Sequence, residues 1–215
     1  MRKGLILLFS AMVLLVGVPG VQAINVGGPA GFLDQGKTSI SGSVGYAELD
    51  IDGHKVTSKS FMGKGMIGLS PKVTPYLKLG FADMSANDYS FDGNLGFSYG
   101  GGVVVKLFAP EQSDFSINLD TQLLWSNSSE GGQNFDLFQQ QLALLGIVKS
   151  GGTTGFAGFA VEFMTLDGPP SGLSENGQGF LIFGMDYFMD FNFYFSMEAH
   201  LFGEDAVSVG VGYRF

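Results

Sequence analysis

Ser196, Glu198 and His200 occupy alternate positions of the segment Phe191–Phe202. A serine, a carboxylate and an imidazole are the parts of a hydrolytic triad: nucleophile, base, and the acid that orients the base. On a strand, alternation places all three on one face. The spacing opposes the chemistry, because positions two apart on a strand lie about 7 Å from each other, beyond a nucleophile–base hydrogen bond. A partner from another strand would be required, and the pattern marks none. The residues read better as a histidine inside a polar network. Gly63-Lys64-Gly65-Met66-Ile67-Gly68 matches a dinucleotide-binding fingerprint, but Ser70-Pro71 stands where its helix should begin. Asp50-x-Asp52-Gly53-His54 has the start of a calcium loop without the later ligands or the closing glutamate, and reads as a hairpin tip. The chain has no cysteine, which removes disulfides and thiolate chemistry. No catalytic group, cofactor or metal site is expected.

These residues belong to elements with a distinct pattern. In the last ten residues Val207, Val209, Val211, Tyr213 and Phe215 alternate with Ser208, Gly210, Gly212 and Arg214. One face is greasy and the other small or polar, as in a strand whose apolar side meets lipid. Similar period-2 segments recur at 37–48, 56–69, 73–83, 94–108, 114–126, 135–149, 153–164, 177–188 and 191–202. The fifth is the cleanest, with Phe115, Ile117, Leu119, Leu123 and Trp125 opposed to Ser116, Asn118, Asp120 and Gln122. The sixth is ambiguous, because both faces are apolar between Leu142 and Val148.

The N-terminus supplies a compartment. Met1-Arg2-Lys3 is basic, Leu5–Val18 is apolar but short for a membrane helix, and Val21-Gln22-Ala23 fits a small-x-small cleavage site. Residues 1–23 are expected to be a signal peptide, 24–36 a periplasmic segment, and 37–215 a barrel. Removing Arg2 and Lys3 shifts the formal net charge from −9 to −11, which disfavours nucleic acid as a partner. The 34 glycines argue against helices and suit tightly curved sheet. The expected fold is all-β: a transmembrane antiparallel up-and-down β-barrel of about ten strands, or eight if two neighbours are misjudged. An even count places both termini on the periplasmic side. Short turns are expected at Ser70–Lys72, Ala109–Ser113, Ser150–Gly152 and Met189–Asp190. Mostly longer outer loops are expected around Asp52-Gly53, Asp92-Gly93, Gly131-Gly132 and Asn176-Gly177. Tyr187, Phe188, Phe191, Phe193, Tyr213 and Phe215 would form an inner aromatic girdle, and Trp125, Tyr46 and Phe202 an outer one.

The alternation also sorts the charges. Lys64, Lys78, Lys106 and Arg214 face inward against Asp120, Glu162, Asp186 and Glu198, with His200 among them. Four against four suggests a compensating lumen network that fills a narrow barrel; a polar channel is the alternative.

The leader, the alternating strands and the terminal Val-x-Val-x-Val-x-Tyr-x-Phe together resemble small bacterial outer-membrane β-barrels of the OmpA, OmpX and OmpW kind. The resemblance covers the predicted mature chain as a pattern and departs from the group in strand number and in lacking a periplasmic domain after the barrel. It implies an outer-membrane location in contact with lipid and lipopolysaccharide. It also implies that Val207, Val209, Val211, Tyr213 and Phe215 are read by the barrel-assembly machinery. Three roles follow for such a chain: a structural or surface-interaction barrel, a narrow porin-like channel, or an outer-membrane enzyme acting on lipid or peptide. The first is expected. The pattern does not specify an oligomeric state.

Overall fold

The computed structural model describes residues 33–51, 54–86, 91–168, 173–189, 192–203 and 205–215; the predicted leader, its cleavage site, Asp52-Gly53 and Phe191 lie outside them. Three strands, β1 (Thr38–Ile51), β2 (His54–Ile67) and β3 (Val73–Ala82), precede a two-residue ribbon, β4 (Ser85–Ala86) with β5 (Phe91–Asp92). Seven more follow: β6 (Gly96–Phe108), β7 (Phe115–Glu130), β8 (Gln133–Ser150), β9 (Thr153–Asp167), β10 (Leu173–Phe188), β11 (Phe193–Leu201) and β12 (Asp205–Arg214). The long strands pair antiparallel with their neighbours in order, and β1 pairs with both β2 and β12. The barrel is therefore closed with ten strands, and the eight-strand alternative falls. Closure satisfies every edge, which a chain crossing hydrocarbon requires because water is absent there. The last seal is a backbone hydrogen bond of 2.9 Å from the Phe215 N–H to the Thr38 carbonyl, so both ends of the barrel chain meet at one rim.

Nine of the ten predicted segments keep their expected phase. The ambiguous one resolves in β8. Gln139, Gln141, Ala143, Leu145 and Ile147 are buried inside, whereas Leu142, Leu144 and Val148 are exposed outside. The neighbour decides: β7 sets Gln122 opposite Gln141 and Asp120 opposite Ala143, and its polar face has only one place to go. A one-residue slip would send Asp120 or Gln141 into lipid.

Several expected long loops are short. Gly131 and Gly132 alone join β7 to β8, at φ 59° and 87°, the left-handed pair a two-residue hairpin turn demands. Ile51 pairs with His54, leaving two residues between β1 and β2. The missing loop length is in the strands. β8 runs for 18 residues and β7 for 16, paired out to Glu130 and Gln133, so this end of the barrel extends as ordered ribbon. Asn176-Gly177 also lies within a strand, beside the bulge between Glu175 and Gln178. At the opposite end Leu33, four residues before the predicted barrel boundary, is buried, and the Gly36 N–H donates to the Gly68 carbonyl at 2.8 Å.

Candidate functional site

The inward faces build a lumen in three layers. The middle layer is polar, and Tyr76 is its hub. Its hydroxyl donates to Asp120 Oδ1 at 2.6 Å and lies 3.2 Å from Gln122 Oε1. Lys78 Nζ donates to the same Gln122 oxygen at 2.6 Å, and the Gln122 amide donates to Gln141. The Lys64 and Lys78 ammonium groups lie 4.3 and 5.5 Å from the Tyr76 ring centroid, a geometry that favours cations over the π face. Across the barrel, Gln139 Nε2 donates to Glu162 Oε1 at 3.0 Å. On β11, His200 Nε2 meets Glu198 Oε1 at 2.6 Å, and the imidazole stacks on Phe180 with centroids 4.9 Å apart. Burial makes these contacts strong, since water does not compete for them.

Apolar layers close this polar belt from both sides. Toward the rim of the termini, Leu33 packs with Met66, Tyr76 and Val104. Above the belt, Leu49, Ile51, Val56, Met84, Phe135 and Leu137 belong to one buried cluster. Met84 reaches it because the ribbon of β4 and β5 pairs back on β2, Val56 with Ala86. A third cluster, including Leu145, Ile147, Phe156, Phe180 and Ile182, lines the wall at β8–β10. Close approach is general here. A Cβ on Gly212 would lie 2.3 Å from a Tyr194 ring carbon, so only glycine lets that ring lie over β12 and bring its hydroxyl to Ser39 on β1.

The structure brings together most of the sequence-predicted lumen residues. Lys64, Lys78, Asp120, Glu162, Asp186, Glu198 and His200 are all buried. Arg214 and Lys106 are not in the belt: both are half-exposed near the rim of the termini, and the Arg214 guanidinium lies 4.5 Å over the Phe188 ring. Phe188 therefore belongs to the lumen mouth, tilted against Tyr194 with centroids 5.3 Å apart, and not to the inner aromatic girdle expected from the sequence. Glutamine and tyrosine join the charges alongside the direct contact of Glu198 with His200. Sequence reasoning missed Tyr76, Gln139, Gln141 and the apolar layers; Tyr76 shares the parity of Lys78 on its own strand, whereas Gln139 and Gln141 lie on the segment whose phase was ambiguous.

The triad reading fails on geometry, for a different reason from the one the spacing suggested. Glu198 and His200 do meet, because a long carboxylate arm and a ring bridge two positions of one strand. Ser196 does not join them. It sits four residues from His200, about 13 Å along the strand, paired with Asp186 and Gly210. The crevice between Tyr46, Glu198, His200 and Ser208 has no room for a water molecule. Gly63 and Gly65 lie within β2, where no helix N-terminus faces a phosphate.

The outside is a continuous apolar belt, from Leu77, Leu79 and Phe81 on β3 to Phe193 and Val211 on β11 and β12. A soluble protein does not expose such a surface. Rows of contacting aromatics border it. One row runs through Phe97, Tyr99, Trp125 and Phe138, with centroid spacings of 5.8, 5.8 and 4.4 Å. At the other end Phe193, Tyr213 and Phe215 form a second row at 4.9 and 4.7 Å.

Among solved structures, an outer-membrane channel from Pseudomonas putida F1 superposes with a TM-score of 0.54 at 12% identity, over 90% of this chain and 100% of that one. The chain is an outer-membrane β-barrel in fold. The barrel domain of the Bordetella autotransporter BrkA aligns over 85% of this chain and 99% of that one at 12% identity, with a TM-score of 0.46. The Neisseria meningitidis NalP translocator domain aligns over 85% and 90% at 15% identity, with a TM-score of 0.42. No protein-family model matches the chain, and no curated protein matches it.

Proposed function

We propose that this protein is a filled, non-conducting barrel with a structural or surface-interacting role in the outer membrane and no catalytic activity. The observation that carries the reading is the lumen itself: a hydrogen-bonded polar belt held between two buried apolar layers. An open channel needs a continuous wet path. Here Leu33 stops one side and the Met84 cluster the other. The absence of space beside His200 speaks equally against an enzyme acting on lipid or peptide. Purified protein in a planar bilayer is expected to show no stepwise conductance; stable ion-conducting steps from the wild-type protein would establish the porin-like reading instead.

The orientation and the assembly signal belong to the same proposal. The rim where both ends meet faces the periplasm, and the strand Val207–Phe215 is the element that the assembly machinery reads. Val211 and Phe215 are exposed on its lipid side, so the signal is presented on the outer surface. Deleting Phe215 is expected to lower the amount of heat-modifiable folded barrel in the outer membrane and leave export intact. Wild-type levels in the deletion strain would remove the signal from this strand.

A further inference from the structure

The lipid-facing wall is not smooth. At the rim of the termini, a row across three strands reads Ile40, Gly65, Leu77, with Ile40 paired to Gly65 and Gly65 to Leu77. Ile40 is 60% exposed and Leu77 69%, so two large side chains stand up on either side of a residue with none. The trough holds about 560 Å³ of open space, and Ile67 and Pro75 continue its walls. Toward the membrane centre it runs over Gly42 and Gly63, which pair with each other. The glycines have no backbone reason to be there. Gly65 and Gly42 have extended backbone, and a Cβ built on either meets nothing within 4 Å. The trough is thus open only because side chains are left off.

Its end at the rim of the termini meets positive charge. Exposed Lys37 directly precedes Thr38 at the trough mouth, and exposed Lys72 stands at the turn leading into β3. The Lys72 carbonyl accepts the Lys106 N–H at 2.9 Å and Arg214 pairs with Ser39 across the β1–β12 seam, but both of those side chains have inward parity and belong to the lumen mouth. Asp34 is the acidic residue beside them, its carbonyl accepting the Lys37 N–H. On the outer surface the exposed charges at this place are Lys37 and Lys72 beside Asp34, a local basic excess although the whole chain is strongly acidic.

We propose that this trough and its basic crown are a binding site for one anionic glycerophospholipid, its acyl chain lying over Gly65 between Ile40 and Leu77 and its phosphodiester at Lys37 and Lys72. An apolar slot in contact with the bilayer is filled by hydrocarbon, and basic side chains at headgroup depth select an anionic head. The site is on the outside of the wall, so it exists whether or not the lumen conducts.

The test uses the full barrel refolded in detergent and native mass spectrometry, with equimolar phosphatidylglycerol and phosphatidylcholine of identical acyl chains. The wild-type protein should retain one lipid, with a roughly five- to tenfold preference for phosphatidylglycerol. Gly65→Leu adds its Cβ where nothing stands within 4 Å, fills the trough, and should abolish retention of both lipids while heat-modifiable mobility stays normal. Lys37→Ala with Lys72→Ala should keep the retained lipid and lose the preference. If Gly65→Leu does not fold, Ile40→Ala with Leu77→Ala, which removes the walls, should lower retention in its place. Equal retention of the two lipids by the wild-type protein, undiminished retention after the trough is filled or flattened, or a dimer in place of bound lipid would each overturn the assignment.

Discussion

Asp120→Ala is expected to destabilise the folded barrel by about 3–5 kcal/mol, the cost of breaking a buried charge cluster by removing one partner. Asp120 is 1% exposed, accepts the Tyr76 hydroxyl at 2.6 Å, and is the acid that acts most strongly on both Lys64 and Lys78, ahead of Glu198. Those two lysines sit directly opposite each other on β2 and β3, so their repulsion is held in check at close range by this acid. Without it, two ammonium groups stay buried beside one tyrosine with Glu198 as the remaining acid that acts on both. Asp120→Asn keeps an acceptor for Tyr76 and loses only the charge, so its loss should be smaller. Urea unfolding in lipid vesicles, followed by tryptophan fluorescence of Trp125, reads both. A loss of about 1 kcal/mol or less would mean that water screens the cluster as it does exposed pairs. That result would count against the filled lumen and favour the channel.

Leu144→Arg is expected to cost roughly 2–4 kcal/mol, the range for arginine near the bilayer midplane on the lipid face of a barrel. Leu144 is 49% exposed and pairs with Leu119 on β7 and Phe159 on β9, both on the belt. Its neighbour Leu145 is fully buried within the wall cluster. A cysteine at 144 should react with a membrane-soluble maleimide, and one at 145 should not. The pair tests the one strand that alternation left ambiguous. Reversed labelling would shift β8 by one residue and expel Gln139 and Gln141 from the lumen, undoing the polar belt with it.

Strand number, closure and facing were legible in the sequence wherever one face was polar. Ser116, Asn118, Asp120 and Gln122 announce an inward face because none of them can be left in hydrocarbon. The same rule placed Lys64, Lys78, Glu162, Asp186 and Glu198. It failed at Arg214 and Lys106 because parity states a side but not a depth. Both have inward parity near a rim, where long side chains reach water. Phe188 failed for the complementary reason: an aromatic near a strand end is equally at home in a girdle or in a mouth, and only its neighbours Tyr194 and Arg214 decide.

Alternation with period two, a composition rich in glycine and poor in charge, and an apolar terminal strand determined an all-β barrel with a lipid-facing exterior. These are local properties, carried by residues one and two positions apart. What fills the lumen was decided only in three dimensions. Tyr76 touches Asp120 and Gln122 across 44 and 46 residues of chain, and Met84 closes one end because a short ribbon folds back on β2. Glu198 reaches His200 because side-chain length bridges a gap that backbone spacing forbids. Such contacts depend on the register of non-neighbouring strands and on how far each side chain reaches. Neither is written in the spacing of residues along one strand.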